Sequence, residues 1–127
     1  MKKKVLDVGQ CDIDNWQISQ MLKKHFDVQV ERARTHRDAI AAMQQESFDL
    51  VLVNRINDAD GSEGLDLVKQ IRGESQYSET AVMIVSNFAE AQQAAVECGA
   101  AYGFGKSELN ERQVLDRLGN ALESTNP

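Results

Sequence analysis

The sequence predicts an α/β fold: a doubly wound, five-stranded parallel sheet in the order 2-1-3-4-5, with helices on both faces. Three observations predict it. Short apolar runs alternate regularly with helical patterns along the chain. Two runs, 48–53 and 81–85, are almost continuously apolar, which suits central parallel strands covered on both sides. The length, 127 residues, is that of one domain able to bury a core without disulfides or a structural metal.

The elements follow in order. The first run, 3–9, takes its apolar content from Val5, Leu6 and Val8. Asp7 is out of place inside it, and is expected at the rim of the sheet or paired with a lysine. A helix over 14–26 places Ile18, Met21, Leu22 and His25 or Phe26 at helical spacing, with Asp12 or Asp14 as its cap. Strand 27–32 alternates Val28 and Val30 with polar residues, the pattern of a half-exposed strand near an edge. Thr35 opens the next helix with Asp38 three residues on, and Ala39, Ile40 and Met43 form its buried stripe. After strand 48–53 comes a polar loop, 54–62. A helix carrying Leu65, Leu67, Val68 and Ile71 ends near Gly73. Strand 81–85 leads to a helix over 88–98, with Gly99 as a left-handed stop. The last run, 101–105, is short and broken by glycine. Helix 110–123 closes the chain with Val114, Leu115, Leu118, Ala121 and Leu122. Residues 1–127 read as a single domain, its core spanning about 3–123, with no output domain.

Composition narrows the function classes. Apolar residues at 42% and charged residues at 27% describe a globular chain. No apolar stretch approaches the roughly 20 residues that span a bilayer. The run after Met1-Lys2-Lys3-Lys4 stops at Asp7, too soon for a signal peptide. The expectation is a cytoplasmic protein with no membrane partner. A net charge of −6 disfavours direct nucleic-acid binding. Arg32, Arg34, His36 and Arg37 then form a solvated face. Cys11 and Cys98 lack metal-ligand spacing and are expected as reduced thiols. The acidic loop from Asn57 to Glu63 fails the calcium-loop pattern. With Gly61 at the required glycine, the first ligand would be Ile56 and the last Leu67. No metal site is expected. Trp16 is expected half-buried beside the site loop, and His25 and His36 at the surface.

In this strand order ligands bind at the C-terminal ends of strands 1 and 3. Those ends are Gly9-Gln10-Cys11-Asp12 and Asn54-Arg55-Ile56. Several stretches then carry a resemblance in combination. They are Lys4-Val5-Leu6-Asp7-Val8, Phe48-Asp49-Leu50-Val51-Leu52-Val53, the helix from Gly64 to Arg72, Val82-Met83-Ile84-Val85-Ser86, and Gly99-Ala100-Ala101-Tyr102-Gly103-Phe104-Gly105-Lys106. Over nearly its whole length the chain resembles the receiver domain of two-component response regulators, a flavodoxin-like fold. The resemblance implies a module in phosphorelay signal transduction. In that family carboxylates after strands 1 and 3 hold Mg²⁺, the strand-3 aspartate takes the phosphoryl group, and a lysine offsets its charge.

Here the resemblance breaks at the chemistry. The acidic-pair positions fall on Gly9 and Gln10, and the phosphoacceptor position on Asn54. The hydroxyl and lysine positions are retained as Ser86 and Lys106. Lys106 then needs a new partner, for which Asp12, Asp58 and Asp60 are the candidates. Ser86 reads equally as a strand-end cap and as a phosphate contact. The family's proline after the lysine is Ser107, so a cis peptide is not expected there. Its strand-5 aromatic falls on Gly103, between Tyr102 and Phe104. Magnesium binding is expected to be weak or absent, with no other cofactor.

Three readings of function stand. The first is a pseudo-receiver that signals by protein–protein interaction, without phosphorylation at the usual position and without enzymatic activity. Its partner would be a histidine kinase or a separate output protein, met through helices 4 and 5 and strand 5, with Phe88, Tyr102 and Phe104 as the candidate partner face. The second is a phosphorylatable regulator with a displaced acceptor at Asp12, Asp58 or Asp60. The third is a small-molecule binder on the flavodoxin-like fold, although 9–15 lacks a hydroxyl-rich phosphate cradle.

Overall fold

A computed structural model describes residues 2–124. Five parallel strands form one sheet: β1 (Lys3–Val8), β2 (Val28–Ala33), β3 (Leu50–Asn54), β4 (Ala81–Val85) and β5 (Ala101–Phe104). Their order is β2-β1-β3-β4-β5, as the sequence predicts. The helices are α1 (Asp12–His25), α2 (His36–Gln45), α3 (Gly64–Arg72), α4 (Ala89–Glu97) and α5 (Arg112–Ser124). Each follows one strand, so every crossover returns the chain to the same end of the sheet.

The strand period of two sorts the core into two layers. Leu6, Val8, Val51, Val53, Val82 and Ile84 face α2, α3 and α4, where they meet Ala39, Met43, Leu67, Val68, Ile71 and Ala95. Val5, Leu50, Leu52, Met83, Val85 and Phe104 face α1 and α5, against Ile18, Leu22, Val114 and Leu118. Both layers are closed, which is why the central strands carry apolar side chains at every position. Asp7 breaks this pattern. It lies within β1, opposite Leu52 on β3, and is fully buried.

The helix ends show where local chemistry differs from expectation. α1 begins at Asp12, and its cap is Cys11, whose Sγ accepts from the Asp14 N–H at 3.5 Å. Neither Asp12 nor Asp14 caps it. Thr35 caps α2 as expected, accepting from the Asp38 N–H at 3.1 Å. Gly99, at φ +101°, ends α4 while the Ala100 N–H reaches back to the Ala95 carbonyl. Trp16 is not half-buried. It is 63% exposed, beside Ile13 at 69%. Both cysteines are free. No helix among the described residues is long and apolar enough to cross a membrane.

Candidate functional site

The site is built where β1 and β3 end. After Val8 the chain turns at Gly9, which holds φ +78°. A β-carbon on Gly9 would lie 2.2 Å from Asn57 Oδ1 and 3.3 Å from the Asn57 Cα. Asn57 is 1% exposed although it sits in a polar loop. Its Nδ2 donates to the Arg34 carbonyl and to Asp60 Oδ1, both at 3.0 Å. Its N–H donates to the Ser62 carbonyl, and the Asp58 N–H donates to the Gly9 carbonyl at 2.9 Å. The loop after β3 is therefore folded onto the end of β1.

Asn54 completes this arrangement. Its Nδ2 donates to the Gly9 carbonyl at 2.9 Å. An ionised aspartate has no proton to give. Beyond Asn54 a cavity of about 270 Å³ is lined by Arg55, Ser86, Asn87 and Lys106, among others. Ser86 Oγ accepts from the Phe88 N–H at 3.1 Å, so this hydroxyl holds the turn from β4 into α4. Asn87 Oδ1 accepts from both the N–H and the hydroxyl of Ser107, tying that turn to the segment after β5. All described peptides are trans.

Lys106 does not pair with Asp12, Asp58 or Asp60. Its Nζ lies 2.7 Å from Asp14 Oδ2, with both side chains largely covered. Burial alone would raise the Asp14 carboxyl, but the Lys106 bond, the Cys11 contact and the Lys106 charge outweigh it and hold it low. Asp12 is engaged by Arg32 at 2.8 Å and by Arg34 at 3.4 Å, and the bond and charge of Arg32 lower it. Asp60 accepts from Ser62 and Asn57 within the loop, and these bonds lower it too. Asp58 is exposed. Asp12 thus serves Arg32 and Arg34, and Asp60 the loop after β3, apart from the lysine.

Sequence reasoning singled out Asp7 without finding its place. It lies inside the sheet and under the site. Asn15 Nδ2 donates to its Oδ2 at 2.8 Å, while Oδ1 has no partner among the described residues. Gln10 is 2% exposed and approaches the same carboxyl, yet neither of its amide atoms reaches bonding geometry. Burial pushes the Asp7 carboxyl up to about 7, against the contacts from Asn15 and Gln10 and the charges of Arg32 and Lys106. A carboxyl with a fully buried side chain is not open to an incoming phosphoryl donor.

The donor set does not fit magnesium. Mg²⁺ takes near-octahedral oxygen ligands, with carboxylates supplying the charge. Gly9 has no side chain, Asn54 offers an uncharged amide whose Nδ2 is committed to the Gly9 carbonyl, and Arg55 and Lys106 line the cavity. Asp14, the carboxylate that meets Lys106, is committed to it.

The candidate partner face is only partly a face. Phe88 is 57% exposed and Tyr102 45%, but Phe104 is 1% exposed and belongs to the core under α1 and α5. Strict alternation would put Tyr102 and Phe104 on one face; the register shift between Met83 and Val85 of β4 breaks it, so Phe104 turns inward while Tyr102 stays outside. The Arg117 guanidinium stacks 4.8 Å from the Tyr102 ring. At Gly103 a β-carbon would meet the Ile84 carbonyl at 2.1 Å, so no aromatic can stand there. Behind it lies Gln92, which the sequence pattern leaves as an ordinary helix residue. It is 2% exposed, donates to the carbonyls of Ile84 and Ser86, and accepts from the Gly103 N–H at 2.8 Å. Its three-residue spacing to the buried Ala95 is the one sequence signal for its inward position.

No protein-family model and no curated protein matches the chain. Solved structures do. A CheY-like response regulator receiver domain protein from Methanospirillum hungatei JF-1 superposes with a TM-score of 0.79 at 23% identity, covering 98% of this chain and 97% of that one. A response regulator from Thermotoga maritima gives 0.79 at 22%, covering 97% and 99%. NtrX from Brucella abortus gives 0.81 at 24%; the match covers 98% of this chain but only 28% of NtrX. Strand order, helix placement and these superpositions agree: the chain has the fold of response-regulator receiver domains.

Proposed function

We propose that this chain is a receiver-like interaction module of a two-component or phosphorelay pathway, which signals by binding a protein partner and not by phosphorylation at the strand-3 position. One observation carries the reading most directly: Asn54 donates to the Gly9 carbonyl at 2.9 Å. The residue at the acceptor position is thus a structural donor. Around it, Asn57 fills the space beside Gly9, and Asp14 neutralises Lys106. These contacts favour one fixed arrangement of the loops in place of a metal-bound and a metal-free one. The partner would be a histidine kinase or an output protein, the two kinds of protein that receiver domains meet. The exposed Phe88 and the Tyr102–Arg117 stack give such a partner apolar and cationic contacts on neighbouring elements.

The test is pull-down of candidate kinases and output proteins by the intact chain, beside Phe88→Ala and Tyr102→Ala. Loss of a specific partner with either variant supports the reading. Equal capture by all three would remove these residues from the partner face. A displaced acceptor at Asp12 or Asp60 gains no support, because both carboxylates are engaged in bonds within the chain.

A further inference from the structure

A second feature of the molecule lies outside the β1–β3 crevice. Between α3 and α4 runs a cleft of about 320 Å³. Its base is apolar: Ile84 of β4, 2% exposed, and Leu65 of α3. On the α4 side the lining residues are Ala91 and Ala94, one helical turn apart, and neither is large enough to close the gap to α3. Phe88 forms one wall with its ring more than half exposed. The rim carries Glu63 and Glu90, neither of them in an ion pair among the described residues.

The cleft already displays the chemistry it accepts. The Arg55 guanidinium, from the loop after β3, lies 5.1 Å from the Phe88 ring centroid. A cation over an aromatic face, with carboxylates nearby and an alkyl-lined base, is the setting in which an arginine or lysine stem packs while its head stays charged. Arg55 thus lies against the Phe88 wall of the cleft. The chain as a whole carries −6, which favours a basic partner over an acidic one.

We infer that the cleft between α3 and α4 is a docking notch for a basic side chain, with an adjoining apolar group, presented by a protein partner. The inference rests on the interaction-module reading and names the chemistry of the partner at one surface. Arg55 acts there as an internal competitor for the Phe88 face. Removing it leaves the acidic rim and the aromatic wall free for the incoming cation.

The test uses the full chain and benzamidinium, a flat apolar cation, followed by methyl and amide NMR. Benzyl alcohol and benzoate are the neutral and anionic controls. Expected is a saturable shift of the Leu65, Ile84, Ala91 and Ala94 methyl signals with benzamidinium, at least threefold tighter than with benzyl alcohol. Arg55→Gln should tighten it several-fold, and Glu63→Gln with Glu90→Gln should weaken it to the level of the alcohol. No saturable shift would overturn the inference. So would benzoate binding as tightly, or weaker benzamidinium binding in Arg55→Gln. Unchanged core methyl signals in each variant show that the fold is intact. Phosphoryl labelling of the protein would sink the interaction-module reading without moving these shifts, so the two failures are distinguishable.

Discussion

Asn57 fills the volume that any side chain at Gly9 would need, with Asn57 Oδ1 2.2 Å from where a β-carbon would stand. The position after β1 is therefore closed to a side chain. The loop after β3 occupies that space and is held there by bonds to Arg34, Asp60 and Ser62. Gly9→Ala should destabilise the fold by about 2 kcal/mol or more, from left-handed strain and the clash together. Urea unfolding measures it. Gly9→Ala combined with Asn57→Gly should cost clearly less than the sum of the two single variants, because the clash is shared. Strict additivity would mean that the two residues do not compete for space.

Asn54→Asp places a carboxylate at the end of β3 without a partner for its charge. An ionised carboxylate would face the Gly9 carbonyl with no proton to share. The expected cost is about 1–3 kcal/mol at pH 8. It should shrink near pH 4, where the protonated acid can donate again. A variant as stable as the parent at pH 8 would show that the Asn54 bond contributes nothing.

Asp7 makes stability depend on pH with a definite sign. Its carboxyl is raised to about 7 in the folded chain, against 3.8 for the free group. Between those values the folded state holds a proton that the unfolded state has lost, so stability falls as pH rises. The contribution is full below about pH 4 and gone above about pH 7, a change on the order of a few kcal/mol. Thermal unfolding from pH 4.5 to 8 should show the decline, and Asp7→Asn should flatten it. A parent curve that rises across this window would contradict the buried, protonated state.

Gln92 holds β4, β5 and α4 together through bonds to Ile84, Ser86 and Gly103. Gln92→Leu leaves a buried N–H and carbonyls without partners, and should cost about 2–4 kcal/mol. Amide exchange at Gly103 should speed up more than at Leu52 in the central β3. A uniform acceleration would place the loss elsewhere.

The fold was legible because burial on both faces writes continuous apolar runs into β3 and β4, and because the helices keep their stripes. The strand order was enough to place Gly9, Gln10, Asn54, Ser86 and Lys106 at one end of the sheet, but their contacts were less legible. Asn57 and Gln92 are polar residues that the chain buries by satisfying backbone groups far away in sequence, and polarity alone reads as surface. Lys106 found Asp14, since the first turn of α1 brings that acid to the segment after β5. Trp16 shows the converse: an aromatic reads as buried, yet α1 turns it to solvent. Phe104 went the other way, because a glycine-broken strand gives no clear alternation from which to tell Tyr102 outside from Phe104 inside.

The most direct measurement is intact mass after incubation with acetyl phosphate and Mg²⁺, beside the same sample in EDTA and a phosphorylatable receiver as control. With Asn54 spent as a donor and no cluster of metal-ligating side chains among the described residues, no mass gain is expected while the control is labelled. A Mg²⁺-dependent gain of one phosphoryl group would contradict the central claim and direct substitution to Asp12, Asp58 and Asp60.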